Sequence, residues 1–218
     1  MMLAPAEQQS IAVRTREIEQ RTGAQVVVAV LGRARAYPEA TWRGFSAGTA
    51  LGASLAVCVT LLRPDWPART DALRAVAAAL LAGLAGALAA RTIPALTRAF
   101  SSRRAREAAA RERARALFVE HGVHGTRERI GVLVLVSLLE RRVEFVPDTG
   151  LAARLPAHAW DDVLAAMRPA LLSRHTALAF TSGLDALERA LAAAGLTPAP
   201  GGGNELPREL VVAEGGES

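Results

Sequence analysis

GFSAGTALGASLAVCVTLL, residues 44–62, is the stretch that decides the fold. It has 19 consecutive residues without a charge, and Arg43 and Arg63 bracket it. An α-helix rises about 1.5 Å per residue, so about 20 apolar residues cross the roughly 30 Å hydrocarbon core of a bilayer. The run therefore has the length of one membrane-spanning helix.

A second apolar run, AVAAALLAGLAGALAA at residues 75–90, follows after only 12 residues. Leu73 and the aliphatic stem of Arg74 extend it toward the length of a span, because a terminal arginine can reach out to the lipid heads. The short linker with Pro64 and Pro67 makes the two helices antiparallel. These features predict a transmembrane helical hairpin. The alternative is a pair of buried helices in a soluble core.

Small residues and tryptophans favour the membrane alternative. Trp42 and Trp66 lie just outside the first run, where interfacial aromatic residues are enriched. Small residues also recur every four positions in both runs, which lets helix backbones approach closely in lipid. They are Gly44, Gly48 and Gly52 in the first run and Ala79, Gly83 and Ala87 in the second.

Composition limits the partners. The chain of 218 residues has 51% hydrophobic residues, 4% aromatic residues and a net charge of +5. A basic balance is compatible with nucleic acid, but there are few aromatic side chains for base stacking, so we expect membrane lipids and no nucleic acid. The single cysteine, Cys58, excludes a disulfide within the chain and a zinc site of clustered cysteines. The oligomeric state stays open.

The arginines predict an orientation, because positively charged loops stay in the cytoplasm. The first ten residues show no signal-peptide pattern, so we expect the first span to target the chain. Eight arginines flank the hairpin on the side of the soluble segments: Arg33, Arg35, Arg43, Arg91, Arg98, Arg103, Arg104 and Arg106. The connecting turn has three: Arg63, Arg69 and Arg74. We therefore place both termini and the soluble domain in the cytoplasm.

The remaining sequence predicts a small α/β domain in two pieces. Before the hairpin come a helix at 6–22 and a buried strand at 24–31. After it come a helix capped by Ser101 or Ser102, strands at 130–139 and 142–146, a turn at 148–150, a helix at 157–172 and a last helix begun by a Ser182–Asp185 capping box. The predicted organisation is 1–41 and 99–196 for the domain, 42–98 for the hairpin with spans at about 44–62 and 73–91, and 197–218 for a disordered tail.

Three sets of residues are candidates for a site, each with a structural alternative. Asp148, Asp161 and Asp162 could hold a divalent cation, or else serve a turn and the first turn of a helix. His121, His124 and Glu128 have the ligand types of a metal site, although two histidines in a loop are more often hydrogen-bonded or exposed. Five arginines are candidates for anion or lipid-head binding, or else form a solvated rim: Arg103, Arg104, Arg106, Arg127 and Arg129.

The soluble segments resemble the TPM domain, a family named for a thylakoid-lumen phosphatase-like protein, a photosystem repair factor and a receptor accessory protein. The resemblance is carried by TGAQVVVAVL at 22–31, by ARALFVEHGVHGTRERIGVLVLVSLLERRVEFVPDTGLAARLPAHAWDDVLAAM at 114–167 and by NELP at 204–207. The resemblance is close to the bacterial subgroup with a transmembrane hairpin inside the domain.

This resemblance implies a helix-flanked mixed sheet with the hairpin after the first strand, and a place in the bacterial inner membrane. It also implies a phosphatase activity known from plant relatives, although this chain lacks the Val-Asp-rich opening segment of the long members. No phosphate-binding loop, nucleophile elbow or zinc-protease motif is present. We therefore expect an accessory module for a membrane protein or assembly, without a resident cofactor. A metal-dependent phosphohydrolase at the membrane surface is the alternative.

Overall fold

The computed structural model describes residues 3–62, 68–198 and 211–213. The chain divides into two compact units, one of residues 1–34 and 108–218 and one of residues 35–107. We call them the sheet unit and the hairpin unit. The helices are α1 Pro5–Thr22, α2 Pro38–Leu62, α3 Ala68–Thr92, α4 Pro94–Phe100, α5 Arg103–Glu120, α6 Thr149–Arg154, α7 Ala157–Leu172 and α8 Thr176–Ala193. The strands are β1 Gln25–Leu31, β2 Gly131–Ser137, β3 Arg142–Pro147 and β4 Val211–Ala213.

The sheet unit contains a mixed sheet in the order β3-β2-β1-β4. β1 is parallel to both β2 and β4, whereas β3 is antiparallel to β2. The parallel pairing of β1 with β2 requires a long crossover connection, and the hairpin unit lies within that connection. The predicted α/β class, with a two-helix insertion after the first strand, is confirmed.

Both faces of the central strands are covered by helices. On one face, Val26, Val28 and Val30 pack in a core with Ile11 of α1 and Phe180 of α8, together with residues of α7. On the other face, Val27, Ala29 and Leu31 of β1 pack with Ala114 and Leu117 of α5. Because neither face meets water, β1 and β2 consist almost entirely of apolar residues instead of alternating with polar ones. The prediction of a buried central strand at 130–139 is therefore confirmed.

In the hairpin unit, α2 and α3 pack closely along a row of small residues. Gly44 lies against Gly86 and Ala90, and Gly52 lies against Ala82 and neighbouring backbone. Gly48 likewise meets the backbone at Ala82 and Gly83. The predicted glycine row of α2 therefore forms the contact, whereas on α3 the row includes Gly86 in place of the predicted Ala87. α3 ends at Thr92 because Pro94 begins α4.

The two long helices have the length and composition of membrane spans. The qualifying segments are Pro38–Leu62, with a mean hydropathy of 1.8, and Ala72–Thr92, with 1.9. Only 6% and 11% of their most apolar windows are buried, so they are not core helices of the folded chain. The predicted positions of Trp66, Pro64 and Pro67 lie outside the described residues.

Four predicted details differ from the structure. Ser182 lies inside α8, which begins at Thr176 after the N-cap residue His175. The chain turns just before it at Arg174, which has a φ of 62° and is neither glycine nor proline. Asp148 caps the short helix α6, where a simple turn was expected. In the tail, Val211–Ala213 pair with β1 as β4. The boundaries between the two compact units fall at 34/35 and 107/108, seven residues before the predicted 41/42 and nine residues after the predicted 98/99.

Candidate functional site

Asp148 stands where β3 ends and α6 begins. Its side chain is 3% exposed, and its Oδ1 accepts the backbone N–H of Thr149 at 2.7 Å. The Nε of Arg129 lies 3.0 Å from Oδ2 and 3.2 Å from Oδ1. The carboxylate is therefore already engaged as a helix cap and as an ion-pair partner.

The backbone around this ion pair is tightly fitted. Arg129 has a φ of 57°, a conformation that few non-glycine residues adopt. Its carbonyl accepts the N–H of Leu151 at 3.1 Å, and the N–H of Asp148 donates to Gly131 at 2.8 Å. A side chain at Gly150 would collide with the carbonyl oxygens of Glu128 and Arg129. These contacts fix Arg129 and Asp148 against each other where β3, α6 and the start of β2 meet.

The other predicted acidic ligands are exposed on the surface. Asp161 and Asp162 are both exposed, and they lie in the second turn of α7 instead of the predicted first turn. Among residues 3–62, 68–198 and 211–213, no group of three or more His, Cys, Asp or Glu side chains is arranged to hold a metal ion. The predicted set of Asp148, Asp161 and Asp162 is therefore not brought together as a ligand group.

The predicted histidine set is likewise dispersed. The ring of His124 lies 6.2 Å from the ring of Phe118, and His121 is partly buried at the end of α5. Glu128 is exposed and lies 3.6 Å from Arg154 in an ion pair. These three side chains also form no metal-ligand group within the described residues.

The five candidate arginines fall into two classes. Arg106 donates to the carbonyl oxygens of Arg98 and Ser101 and so closes the end of α4, while Arg129 is held by Asp148. The others lie on the surface: Arg103, which pairs with Glu107 at 2.8 Å, Arg104 and Arg127. The side chain of Arg129 is also 51% exposed, although its Nε is held by Asp148.

Two polar features of the sheet unit were not predicted. Arg14 of α1 joins Glu17, Asp185 and Glu188, and Arg21 also contacts Glu188 at 2.9 Å. Burial alone would raise the pKa of the Glu188 carboxyl, but the hydrogen bonds from Arg21 and Arg14 outweigh burial and lower that pKa. No sequence signal joins residues about 170 positions apart, so this network could not be found by spacing.

The second feature is the carboxylate of Glu140, which is 4% exposed just beyond β2. It accepts the N–H of Ala34 at 3.1 Å and the hydroxyl of Ser137. The sequence places Glu140 directly after an apolar strand, where a turn residue is expected. Only the fold shows that this carboxylate binds the segment after β1 to the segment after β2.

The fold and the insertion together define a class: a helix-covered mixed sheet interrupted after its first strand by a long apolar helical hairpin. The sequence model of the TPM domain matches residues 70–190, more than half of the chain. The chain belongs to the TPM domain family.

A solved structure agrees with this assignment at the level of the fold. The structure is similar to the NMR structure of the BA42 protein from the psychrophilic bacterium Bizionia argentinensis, with a TM-score of 0.58 and 13% sequence identity. The similarity covers 98% of this chain and 97% of the other. Comparison with curated proteins gives no match.

Proposed function

We propose that this protein is a membrane-anchored TPM domain that serves as an accessory module for another membrane protein or assembly. The observation that carries the anchoring is the distribution of side chains in the hairpin unit. The small residues face the helix contact, and the large apolar residues face outward. A soluble protein has the opposite arrangement, with its large apolar residues inside.

The exposed apolar surface of the hairpin unit is too large to be stable in water. Each fully exposed leucine or valine forgoes about 1.5–3 kcal/mol relative to burial. On α2 the exposed residues are Leu51, Leu55, Val57, Val59, Leu61 and Leu62, and on α3 they are Leu73, Val76, Leu80, Leu81, Leu84 and Leu88. Hydrocarbon chains cover such a surface along its whole length, and glycine-lined packing is how two helices associate in lipid.

The two sequence segments of the sheet unit restrict the topology. Residues 1–34 and 108–218 form one compact unit, so both must lie on the same side of any membrane that the hairpin crosses. An even number of spans meets this condition. The excess of arginines on that side supports a cytoplasmic sheet unit in a bacterial inner membrane.

An accessory role is supported by what the candidate site residues do. Asp148, Arg106 and Arg129 hold local structure, and the described residues bring no three metal ligands together. Asp148 and Arg129 are engaged with each other, and Asp161 and Asp162 are exposed on α7. The accessory roles implied by the family resemblance point in the same direction.

Membrane insertion can be tested with the natural thiol of Cys58, which is exposed on α2. In intact membranes we expect a charged, impermeant maleimide to leave Cys58 unlabelled, and to label it after the membranes are dissolved in denaturing detergent. The matched control is Cys58→Ser combined with Ser173→Cys, because Ser173 is exposed on the sheet unit. That variant should react in inverted vesicles and not in sealed, right-side-out ones. Labelling of Cys58 in sealed membranes of either orientation would contradict the anchor.

The accessory role is tested by activity and by association. Detergent-purified protein should not hydrolyse a generic phosphate monoester with Mg²⁺, Mn²⁺ or Ca²⁺, and cross-linking in native membranes should join it to a specific membrane protein. Hydrolysis that needs a divalent ion and is lost in Asp148→Asn would replace the accessory role with the phosphohydrolase alternative. Cross-linking that yields no specific partner would also count against it.

A further inference from the structure

The outer edge of β1 is available to a strand over only part of its length. The N–H of Gln25 donates to Ile130 on the β2 side at 3.3 Å, and the next N–H, of Val26, donates to the carboxylate of Glu19 at 3.1 Å. Successive N–H groups of a strand point to opposite edges, so the N–H groups of Val28 and Val30 point away from β2, as that of Val26 does. Glu19 therefore closes the first part of the edge, and the part from Val28 to Leu31 remains for a neighbouring strand.

That remaining part is covered by the C-terminal strand of the same chain. Val211, Val212 and Ala213 of β4 lie opposite Ala29, Val30 and Leu31 in a parallel register. β4 is three residues long, whereas the apolar strand that it covers has seven. Few backbone hydrogen bonds can hold so short a strand, so this contact is of the kind that another strand can replace.

The chain that leads to β4 is long enough to release it. Pro198 and Thr197 lie against Gly23, just before β1. Twelve residues, 199–210, then separate Pro198 from Val211. Their extended reach is about 40 Å, whereas Gly23 to Ala29 spans only about 20 Å of strand. The connection therefore does not force β4 to remain on β1.

We propose that the edge of β1 from Val28 to Leu31 is a docking groove for an extended segment of the membrane-protein partner, and that β4 occupies this groove until the partner displaces it. The proposal rests on the accessory function proposed above. The partner segment has the chemistry of β4: two β-branched apolar residues followed by a small one, running parallel to β1. Addition of such a segment to a sheet edge is a common mode of peptide recognition.

The tethered strand protects the groove by its local concentration. A strand tethered to its own chain has an effective concentration on the order of millimolar, so free segments at micromolar concentration do not compete with it. This arrangement keeps an apolar edge covered when no partner is present, which prevents pairing with unrelated strands.

A single backbone amide distinguishes strand pairing in this register from nonspecific binding of an apolar peptide. The backbone N–H and carbonyl of Val30 point toward β4, and Val30 lies opposite Val212. In a parallel pair its carbonyl therefore accepts the N–H of Ala213, whereas the N–H of Val212 points away from β1. The probe is a fluorescent peptide of residues 207–218, PRELVVAEGGES. Two further versions carry a single N-methyl group, one at Ala213 and the other at Val212.

The test uses the full chain in detergent as wild type, as Ala213→Pro, which removes the amide that β4 donates, and as Gly216→Pro, a control outside the strand. We expect the peptide to bind Ala213→Pro at least tenfold more tightly than wild type or Gly216→Pro. N-methylation of the peptide at Ala213 should abolish this binding, and N-methylation at Val212 should leave it within twofold.

Hydrogen exchange keeps the test independent of whether Ala213→Pro folds normally. In that variant the amide of Val30 should exchange faster than in wild type, while that of Leu31, which points toward β2, stays protected. Added peptide should restore the protection of Val30. Equal peptide affinity for all three chains, equal effects of the two N-methyl groups, or a wild-type dimer held by exchanged tails would each overturn the groove. None of these results would alter Cys58 labelling or partner cross-linking, so the accessory function is judged separately.

Discussion

The substitution Gly44→Ala should weaken the packing of the hairpin unit. A Cβ at Gly44 would lie 2.5 Å from the carbonyl oxygen of Gly86 and 2.6 Å from the Cβ of Ala90, and Cβ atoms are essentially never found within 3.0 Å of a heavy atom from a distant part of the chain. The helices must therefore separate by about half an ångström, because the nearest atom belongs to a helix backbone that cannot rotate away. Overpacking of this kind costs about 1–3 kcal/mol.

An opposing effect reduces this cost without reversing it. Alanine favours a helix over glycine by about 0.5–1 kcal/mol. The expected net loss is therefore about 0–2.5 kcal/mol, with a middle value near 1 kcal/mol, or a few degrees in the midpoint of thermal unfolding measured by circular dichroism in detergent. Gly52→Ala should cost less, because its nearest atom is the Cβ of Ala82 at 2.8 Å.

The matched control is Ala47→Val, which adds two methyl groups on the exposed face of α2. It should leave the midpoint within about one degree of wild type, because nothing in the helix contact has to move. The reasoning is refuted if Gly44→Ala unfolds with the wild-type midpoint, or if Ala47→Val lowers the midpoint as much as Gly44→Ala does.

Two further predictions concern the sheet unit. The lowered pKa of Glu188 means that the folded state binds this proton less readily than the unfolded chain, whose carboxyl titrates near 4.5; the stability from Glu188 is thus present above that pH and is lost as pH falls through the folded pKa. Acid titration should therefore destabilise wild type more steeply than Glu188→Gln, with Glu112→Gln on the exposed surface of α5 as the control, and equal slopes in wild type and Glu188→Gln would contradict the assignment. Asp148→Ala should lower the free energy of unfolding by about 1–3 kcal/mol, because it removes a helix cap and the partner of Arg129. Asp161→Ala should change it by less than about 0.5 kcal/mol, and equal losses in urea titrations would argue against the structural role of Asp148.

Local sequence patterns were sufficient for the elements with strong periodicity. The uncharged runs predicted α2 and α3, and the continuous apolar residues predicted β1 and β2, because a strand covered on both faces has no polar side to show. Ser102, one of the two predicted capping residues, marked the start of α5, because capping is backbone chemistry that acts over a few residues. The start of α8 was missed because Arg174 adopts its positive φ without any residue type that signals a turn.

The candidate site shows which contacts local sequence patterns do not predict. Asp148 is recognisable as a turn or capping residue, but its pairing with Arg129 depends on β3 returning beside β2. The spacing of Asp148, Asp161 and Asp162 allowed a common site, and the fold leaves the last two on an exposed helix surface. Charged residues obey no periodicity that reports which distant partner they meet.

By itself the sequence determined that this chain has an apolar helical hairpin inserted in a small α/β domain. The length of a segment, its lack of charge and the hydrophobicity of a strand are local properties, and they decide whether that segment is stable in water or in an apolar environment. Only the tertiary structure decided which residues meet: the glycine row of α2 with Gly86 and Ala90, Arg14 with Glu188, and the backbone of β4 with the last residues of β1. These contacts join residues far apart in the chain, and their existence follows from the packing of whole elements.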